Sequence, residues 1–344
     1  MLLSRPEEIR LLLGKYAQKQ IAVPCFCAEN TFTMEGILFG AQNAVKRLML
    51  DEIVVYIAAT GNYHGRQQLK NYTSLDSTEE GFYAFRSDLE RLARSDGAFA
   101  KVKVIPSLDH GQPGLDQWLF EKGKGFWGCV MYDCSAMPLD KNRQMTTEFV
   151  RQYRDQFVIE GCVDEITESG DGGMKLTNPD DAKRFLDETG VDLAVVNLGT
   201  EHRATAAQLR YRSDIAKDIY RLTGQKLVLH GTSSLSKGDL QLLRHDGIAK
   251  VNIWTVLETA TSQLMAQSTI CNIGNILPKA TIEKLMAEGW LGQAAVNHTQ
   301  NHSPSLSYLV ELYRRNEVKV PSVARLVEDF IEAFQLTIEN MAVC

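Results

Sequence analysis

Three histidines stand directly after short apolar segments of this sequence, in positions from which their imidazoles could share one metal ion. His110 ends the segment VIPSLDH, His202 follows NLGTE, and His230 closes LVLH. Three neutral imidazoles with an open fourth position are a common ligand set of catalytic Zn²⁺. The sequence therefore predicts one metal held by these three side chains. For each histidine taken alone, a polar residue that merely follows a strand is the competing interpretation.

Asp109 directly precedes one of these histidines, so its carboxylate could act on a substrate bound to the same metal. A carboxylate in that position removes or returns a proton, which is general base chemistry. A structural or orienting carboxylate is the alternative interpretation of Asp109. The acidic, glycine-rich segment at 164–173 suits a lid that carries a proton donor, Glu168 or else Glu165. A solvated acidic loop is the competing interpretation of that segment.

Two further segments have the composition of an anion site. GTSS at 231–234 follows one apolar run, and NIWT at 252–255 follows the next and opens a helical pattern. Backbone N–H groups and hydroxyls at helix N-termini bind anions, and in barrels this site favours the loops after strands seven and eight. Each motif alone is typical of an ordinary turn, but their joint placement predicts an anion-binding pocket.

The alternation of apolar and amphipathic stretches indicates the scaffold that brings these segments together. Short apolar runs typical of strands recur at 21–25, 53–58, 102–107, 129–133, 157–162, 193–197, 227–230 and 249–253. Helical patterns lie at 33–47, 78–94, 114–122, 146–155, 178–188, 207–222, 237–244 and 254–267. Strands that alternate with helices form parallel units, and eight such units close a barrel. We therefore predict an α/β fold, a (β/α)8 TIM barrel, with its functional groups at the carboxyl ends of the strands.

Two regions fall outside the eight units. The pattern at 6–18 predicts an N-terminal helix that could plug the bottom of the barrel. A C-terminal helical tail begins near residue 278, with its clearest helices at 281–288 and 323–341. No shift in composition marks a second domain, so we expect a single domain over 1–344 with the barrel at about 20–270.

Charge and cysteine content narrow the classes of partner and compartment. A net charge of −6 gives no general attraction for nucleic acid or an anionic membrane. No apolar stretch approaches the ~20 residues that cross a bilayer, and the charged N-terminus lacks the apolar region of a secretory signal. The seven cysteines form no C-x-x-C pair, which indicates reduced thiols. We expect a cytoplasmic protein with a small-molecule ligand and no nucleic-acid or membrane partner.

The order of these motifs resembles that of the class II, zinc-dependent fructose-bisphosphate and tagatose-bisphosphate aldolases. LDHG at 108–111 is similar to the family's L-D-H, and MYDCS at 131–135 to its M-I-D-x-S. GTEH at 199–202, LVLHGTS at 227–233 and KVNIWT at 250–255 resemble G-T-x-H, L-V-L-H-G-G-S and K-V-N-I-D-T. The resemblance is collinear over nearly the whole predicted barrel, as in a divergent member of that family.

The resemblance implies a carbon–carbon lyase that performs retro-aldol cleavage or aldol addition on a ketose or ketose phosphate. It implies that His110, His202 and His230 bind one Zn²⁺, and another divalent metal would suit the same ligands. In the family this metal polarises the ketose carbonyl and stabilises the enediolate. Asp109 would take the proton of the substrate hydroxyl whose deprotonation breaks the bond, and Asn252 would contact the enediolate. The C-terminal tail suggests, by analogy, a homo-oligomer, either a dimer or a tetramer.

The substrate side departs from the family pattern. Where the family has Gly after the metal histidine and a phosphate-contacting Lys three residues later, this chain has Arg203 and Ala206. The second glycine of H-G-G-S-G is Thr232, the Asp of N-I-D-T is Trp254, and Cys27 replaces a family Asn. The residues that we expect to bind substrate or its phosphate are Arg203, Gly231, Ser233, Asn252, Trp254 and Thr255. An inward-turned Arg203 would offer a bidentate fork to an anion, and a solvated surface arginine is the alternative.

These departures predict activity on a substrate other than fructose 1,6-bisphosphate, bearing one anionic group or none. Two other functions are compatible with the sequence. The same metal site could serve an isomerase or hydrolase, or the chain could be a non-catalytic homologue that keeps the metal for stability. Retention of Asp109 and Asn252 favours the lyase, because a structural metal needs neither side chain.

Overall fold

The computed structural model describes residues 1–164, 176–200, 211–294 and 314–334 and contains a closed barrel of parallel strands. The strands follow one another around the barrel in chain order, and the last pairs with the first. They are β1 (Val23–Cys27), β2 (Ile53–Thr60), β3 (Val102–Gly111), β4 (Cys129–Tyr132), β5 (Val158–Cys162), β6 (Leu193–Val195), β7 (Leu227–Leu229) and β8 (Ile248–Ile253). Each predicted strand has its counterpart, so the predicted (β/α)8 fold is confirmed.

Helices lie between the strands and at both ends of the described chain. They are α1 (Pro6–Gln18), α2 (Thr31–Arg47), α3 (Gln68–Asn71), α4 (Thr78–Leu92), α5 (Gln117–Lys122), α6 (Leu139–Tyr153), α7 (Pro179–Thr189), α8 (Ser213–Thr223), α9 (Lys237–Leu242), α10 (Thr255–Cys271), α11 (Ile273–Ile276), α12 (Lys279–Ala287) and α13 (Val320–Ala333). Within the described residues, no helix has both the length and the apolar character needed to cross a membrane.

Three helices differ most from the sequence prediction. The short helices α3 and α11 were not predicted, because four residues are too few to show a helical period. Helix α6 begins at Leu139 rather than at residue 146, because its polar first turns are stabilised by tertiary contacts instead of an apolar face. The buried Asn142 illustrates this, since its Nδ2 donates a hydrogen bond to the carbonyl of Cys162 at 2.8 Å.

Strand β3 is longer than predicted, and the extension carries the candidate site. It continues to Gly111 instead of ending at residue 107, because β2 runs alongside it and places Thr60 opposite Asp109. Asp109 and His110 therefore lie within the strand rather than in a loop after it. His110 has φ 48°, in the left-handed region that costs a non-glycine residue of order 1 kcal/mol or more.

Helix α7 shows how local sequence sets the element boundaries. The side chain of Asn178 accepts hydrogen bonds from the N–H groups of Asp180 and Asp181 at 2.9 and 3.3 Å. Pro179 occupies the first helical position, where its missing N–H has no partner to lose. Gly190 ends the helix with φ 71°. These local signals place α7 within one residue of the helical pattern predicted at 178–188.

The amino-terminal segment packs at the end of the barrel where the strands begin. The N–H of Leu3 donates to the carbonyl of Val104 at 2.8 Å, and Ile9 on α1 is fully buried. Arg10 donates to the carbonyl of Phe157, directly before β5, at 2.9 Å. The candidate site lies at the opposite end, where the strands finish.

A buried ion pair crosses the barrel interior below the site. Nζ of Lys250 on β8 lies 2.5 Å from Oε1 of Glu160 on β5, and neither side chain is exposed. The thiol of Cys129 donates to the same carboxylate at 2.9 Å, and the ammonium lies 4.9 Å from the ring centre of Tyr56. The pair joins opposite sides of the barrel, which fixes the strand that carries Asn252.

Candidate metal and active site

The residues with metal-binding side chains come from the ends of two strands. Asp109 and His110 directly precede Gly111, the last residue of β3, and His230 directly follows β7. All three are at most 2% exposed. One donor atom of each lies within 4.8 Å of the others, and the two imidazole rings are 5.0 Å apart between centres. This spacing allows the three side chains to contact a single ion.

Several members of the predicted site lie outside the described residues. They are the third predicted ligand, His202, the proton-donor candidates Glu165 and Glu168, and the substrate-side positions Arg203 and Ala206. The structure thus brings together two of the three predicted histidines and adds the carboxylate of Asp109 to the same group.

The surroundings of His110 suit a metal ligand. Its Nδ1 lies 2.6 Å from Oδ2 of Asp133, whose other oxygen accepts hydrogen bonds from N–H and Oγ–H of Ser135. A carboxylate on one imidazole nitrogen orients the ring and leaves the other nitrogen for a metal. Although burial acts to raise it, the hydrogen bonds from His110 and Ser135 hold the pKa of Asp133 below its ordinary value. Asp133 is therefore the charged acceptor that this arrangement needs.

His230 also meets the requirement for a ligand. Burial lowers the pKa of His230 well below its ordinary value, because a charged imidazolium is poorly solvated there. The ring is therefore neutral near pH 7, as metal binding demands. Together with His110, it offers two nitrogen donors of the kind that bind a divalent transition metal, with the carboxylate of Asp109 beside them.

Asp109 is surrounded by hydrogen-bond donors. Nδ2 of Asn252 donates to its Oδ1 at 2.9 Å, the guanidinium of Arg66 pairs with its Oδ2, and the thiol of Cys27 lies 3.6 Å from Oδ2. Burial alone would raise the pKa of Asp109, but the neighbouring His110 and Arg66 lower it well below its ordinary value. Asp109 is therefore a carboxylate, the form that can accept a proton.

Sequence reasoning missed Arg66, which comes from the loop between β2 and α3. Its guanidinium is buried, and Cζ lies 4.8 Å from the ring centre of Trp254. Tyr63 of the same loop stacks on the imidazole of His110, with the ring centres 4.1 Å apart. His64, between them in the loop, is exposed. The available signal was the position of the loop directly after a strand's carboxyl end.

The predicted substrate-side residues that the structure describes line one pocket. Its lining consists of Cys27, Arg66, His230, Gly231, Thr232, Ser233, Asn252, Trp254 and Thr255. Oγ1 of Thr232 donates to the carbonyl of Asn252 at 2.9 Å, which joins the two anion-type segments. The cavity measures about 20 Å³, which is room for roughly one water molecule. Trp254 donates its indole N–H to Glu29, so the ring is held at the pocket wall.

Two curated proteins align with part of this chain. The fructose-bisphosphate aldolase of Giardia intestinalis is 38% identical over 144 residues, which cover 40% of this chain and 44% of that protein. The uncharacterised protein YdjI of Escherichia coli K12 is 29% identical over 168 residues, which cover 46% of this chain and 58% of that protein. The aligned part of the chain therefore spans less than two thirds of either relative.

A solved structure and a family model cover more of the chain. The crystal structure of fructose-bisphosphate aldolase from Campylobacter jejuni superposes with a TM-score of 0.74 over 98% of this chain and 96% of that one. Its sequence identity is 15%, so this likeness concerns the fold alone. The family model described as fructose-bisphosphate aldolase class-II matches residues 7–303. The chain belongs to the class II fructose-bisphosphate aldolase family.

Proposed function

We propose that this protein is a metal-dependent aldolase that breaks or forms a carbon–carbon bond in a ketose or ketose-phosphate-like substrate other than fructose 1,6-bisphosphate. The observation that supports it most directly is the arrangement around Asp109. Its carboxylate lies beside two imidazoles and accepts a hydrogen bond from Asn252. A base next to a metal-binding group is the arrangement that deprotonation of a substrate hydroxyl requires.

In this proposal, His110, His202 and His230 hold one Zn²⁺ or a related divalent ion. When bound, the metal supplies Lewis-acid polarisation of a substrate carbonyl. Through the 2.6 Å hydrogen bond, Asp133 holds the ring of His110 so that Nε2 would face the metal. Tyr63 covers the face of the same ring and limits its rotation.

Asp109 and Asn252 act on the substrate. Asp109 takes the hydroxyl proton in the cleavage direction and returns it in the synthetic direction. Asn252 Nδ2 holds the carboxylate in place, while its Oδ1 is buried and has no hydrogen-bond partner among the described residues. That oxygen is therefore available to a substrate hydroxyl. Glu168 is proposed as the acid that protonates the other half of the substrate.

The substrate proposal rests on the altered anion site. Gly231, Ser233 and Thr255 line the pocket. The family's phosphate-contacting lysine is Ala206 here, and loss of a charge-assisted contact weakens binding of a dianion by roughly 1.5–3 kcal/mol. Trp254 occupies the pocket wall and favours a shorter or flatter substrate. We propose that Arg203 also contacts the substrate.

The test is metal analysis of the purified protein, followed by a screen of ketoses and ketose phosphates for aldehyde release. We expect one divalent metal per chain and turnover of a substrate with at most one anionic group. A kcat/KM for fructose 1,6-bisphosphate near the ~10⁴ M⁻¹s⁻¹ of a competent enzyme would refute the substrate proposal. Metal binding without aldehyde release from any ketose would favour a different reaction or a non-catalytic role.

A further inference from the structure

Arg66 is the one charged group in the described pocket to which the proposed reaction gives no role. Its side chain is 7% exposed and pairs with Oδ2 of Asp109. Its Nε is buried and has no hydrogen-bond partner among the described residues. A guanidinium has five N–H donors, so part of its capacity is unused although it lines the pocket.

In this arrangement Arg66 occupies one oxygen of the proposed base. Both oxygens of Asp109 already accept hydrogen bonds, Oδ1 from Asn252 and Oδ2 from Arg66. The cavity beside this pair measures about 20 Å³ between the described residues. Movement of Arg66 away from Oδ2 would leave that oxygen to a substrate hydroxyl.

Trp254 offers a surface along which Arg66 can move. The guanidinium carbon lies 4.8 Å from the centre of the indole ring, so a cation–π contact supports the charge. A shift across this flat face retains the contact while the hydrogen bonds to Asp109 are exchanged for others. An anion replaces those hydrogen bonds and also balances the charge of the buried guanidinium.

We propose that Arg66 recognises an anionic oxygen pair of the substrate, a carboxylate or a phosphoryl group, and that its transfer from Asp109 to this group opens the base to the substrate hydroxyl. The planar guanidinium fork binds two oxygens at once. Recognition of the anion is independent of the reaction, whereas the opening of Asp109 rests on its proposed role as the base.

Anion binding is tested on the full chain with glycolate and inorganic phosphate as probes, by calorimetry of the metal-loaded and metal-free protein. The metal-free arm removes direct binding of the probe to the metal. We expect Arg66→Met to weaken binding of the preferred probe about tenfold to a hundredfold in both arms. Arg66→Lys should recover part of this loss, because it restores the charge but not the fork.

Arg10→Lys is the matched control, because Arg10 pairs with Asp192 at the other end of the barrel. It should leave probe binding unchanged. Tighter binding of glycolate would indicate that the substrate carries a carboxylate. Tighter binding of phosphate would indicate that it carries a phosphoryl group. The proposal would be overturned if the wild-type protein bound neither probe. It would also be overturned if Arg66→Met and Arg66→Lys both bound the probe as tightly as the wild-type protein.

Movement of Arg66 is measured by tryptophan emission during the same titrations. We expect the probe to change the tryptophan emission of the wild-type protein, because the guanidinium contacts this indole. The emission change should be absent in Trp254→Phe. Binding through Arg66 without any emission change would refute the transfer from Asp109. Anion binding with the expected Arg66 dependence, in a protein that releases no aldehyde, would refute the lyase proposal and leave anion recognition standing.

Discussion

Replacement of Asp133 by Asn tests whether the group around His110 is a metal site. The carboxylate uses both oxygens, Oδ2 toward Nδ1 of His110 at 2.6 Å and Oδ1 toward N–H and Oγ–H of Ser135 at 3.1 and 2.6 Å. An amide of the same shape has only one oxygen, so one of the two sides loses its acceptor. The charge that favours a donor at Nδ1 is lost in either orientation. We therefore expect metal affinity to fall about tenfold to a hundredfold, or roughly 1.4–2.8 kcal/mol.

The assay is competition for Zn²⁺ with a chromophoric chelator, together with urea unfolding of the metal-free protein. Asp116→Asn is the matched control, because Asp116 is 1% exposed and accepts hydrogen bonds from Gln112 and Asn62. It contacts neither histidine ligand in the described structure, so its replacement should lower stability without changing metal affinity. If Asp133→Asn bound Zn²⁺ as tightly as the wild-type protein, or if both variants lost affinity equally, the reasoning about His110 would be wrong.

Four other outcomes are expected. Asp109→Asn should keep its metal and lose turnover by about 10²–10⁴-fold, and near-normal turnover would assign the base elsewhere. His230→Ala should lose the metal, as measured by metal analysis; retention of a full equivalent would exclude it as a ligand. Lys250→Met should lower the free energy of unfolding, measured with urea, by about 3–5 kcal/mol, because it leaves Glu160 buried without its partner. The double variant Lys250→Met, Glu160→Met should regain most of that loss. If the losses of the two single variants simply added, the buried pair would be contradicted. In the metal-free protein the pKa of His230 is lowered, so below about pH 6.5 the unfolded state binds more protons than the folded state. The free energy of unfolding should therefore fall as the pH drops through that value. In His230→Gln the free energy of unfolding should depend less on pH.

The barrel could be predicted from the sequence because each strand is buried on both faces and reads as a short apolar run. The start of α7 was equally visible, since Asn178 and Pro179 act through their nearest neighbours in the chain. The length of β3 could not be predicted in this way, because pairing with β2 holds its last residues and no local sequence pattern encodes that register. Arg66 was missed for the same reason, because its contact with Trp254 joins residues that are far apart in the sequence.

The two halves of the site are therefore built differently. Asp109, His110 and Asn252 belong to strands, and His230 directly follows one. The buried pair of Lys250 and Glu160 joins two strands of the barrel beneath them. The groups that would meet the rest of a substrate, Arg66 and Trp254, lie in loops or at a helix start. Loop residues change without disturbing the barrel, because the strand pairing and the core do not depend on them. If His110 and His230 bind the metal and Asp109 is the base, as proposed, this chain should retain the reaction type of its family. Because Ala206 stands where the resemblance places a phosphate-contacting lysine and the buried Arg66 lies beside Asp109, we expect it to differ in where the substrate carries its anion.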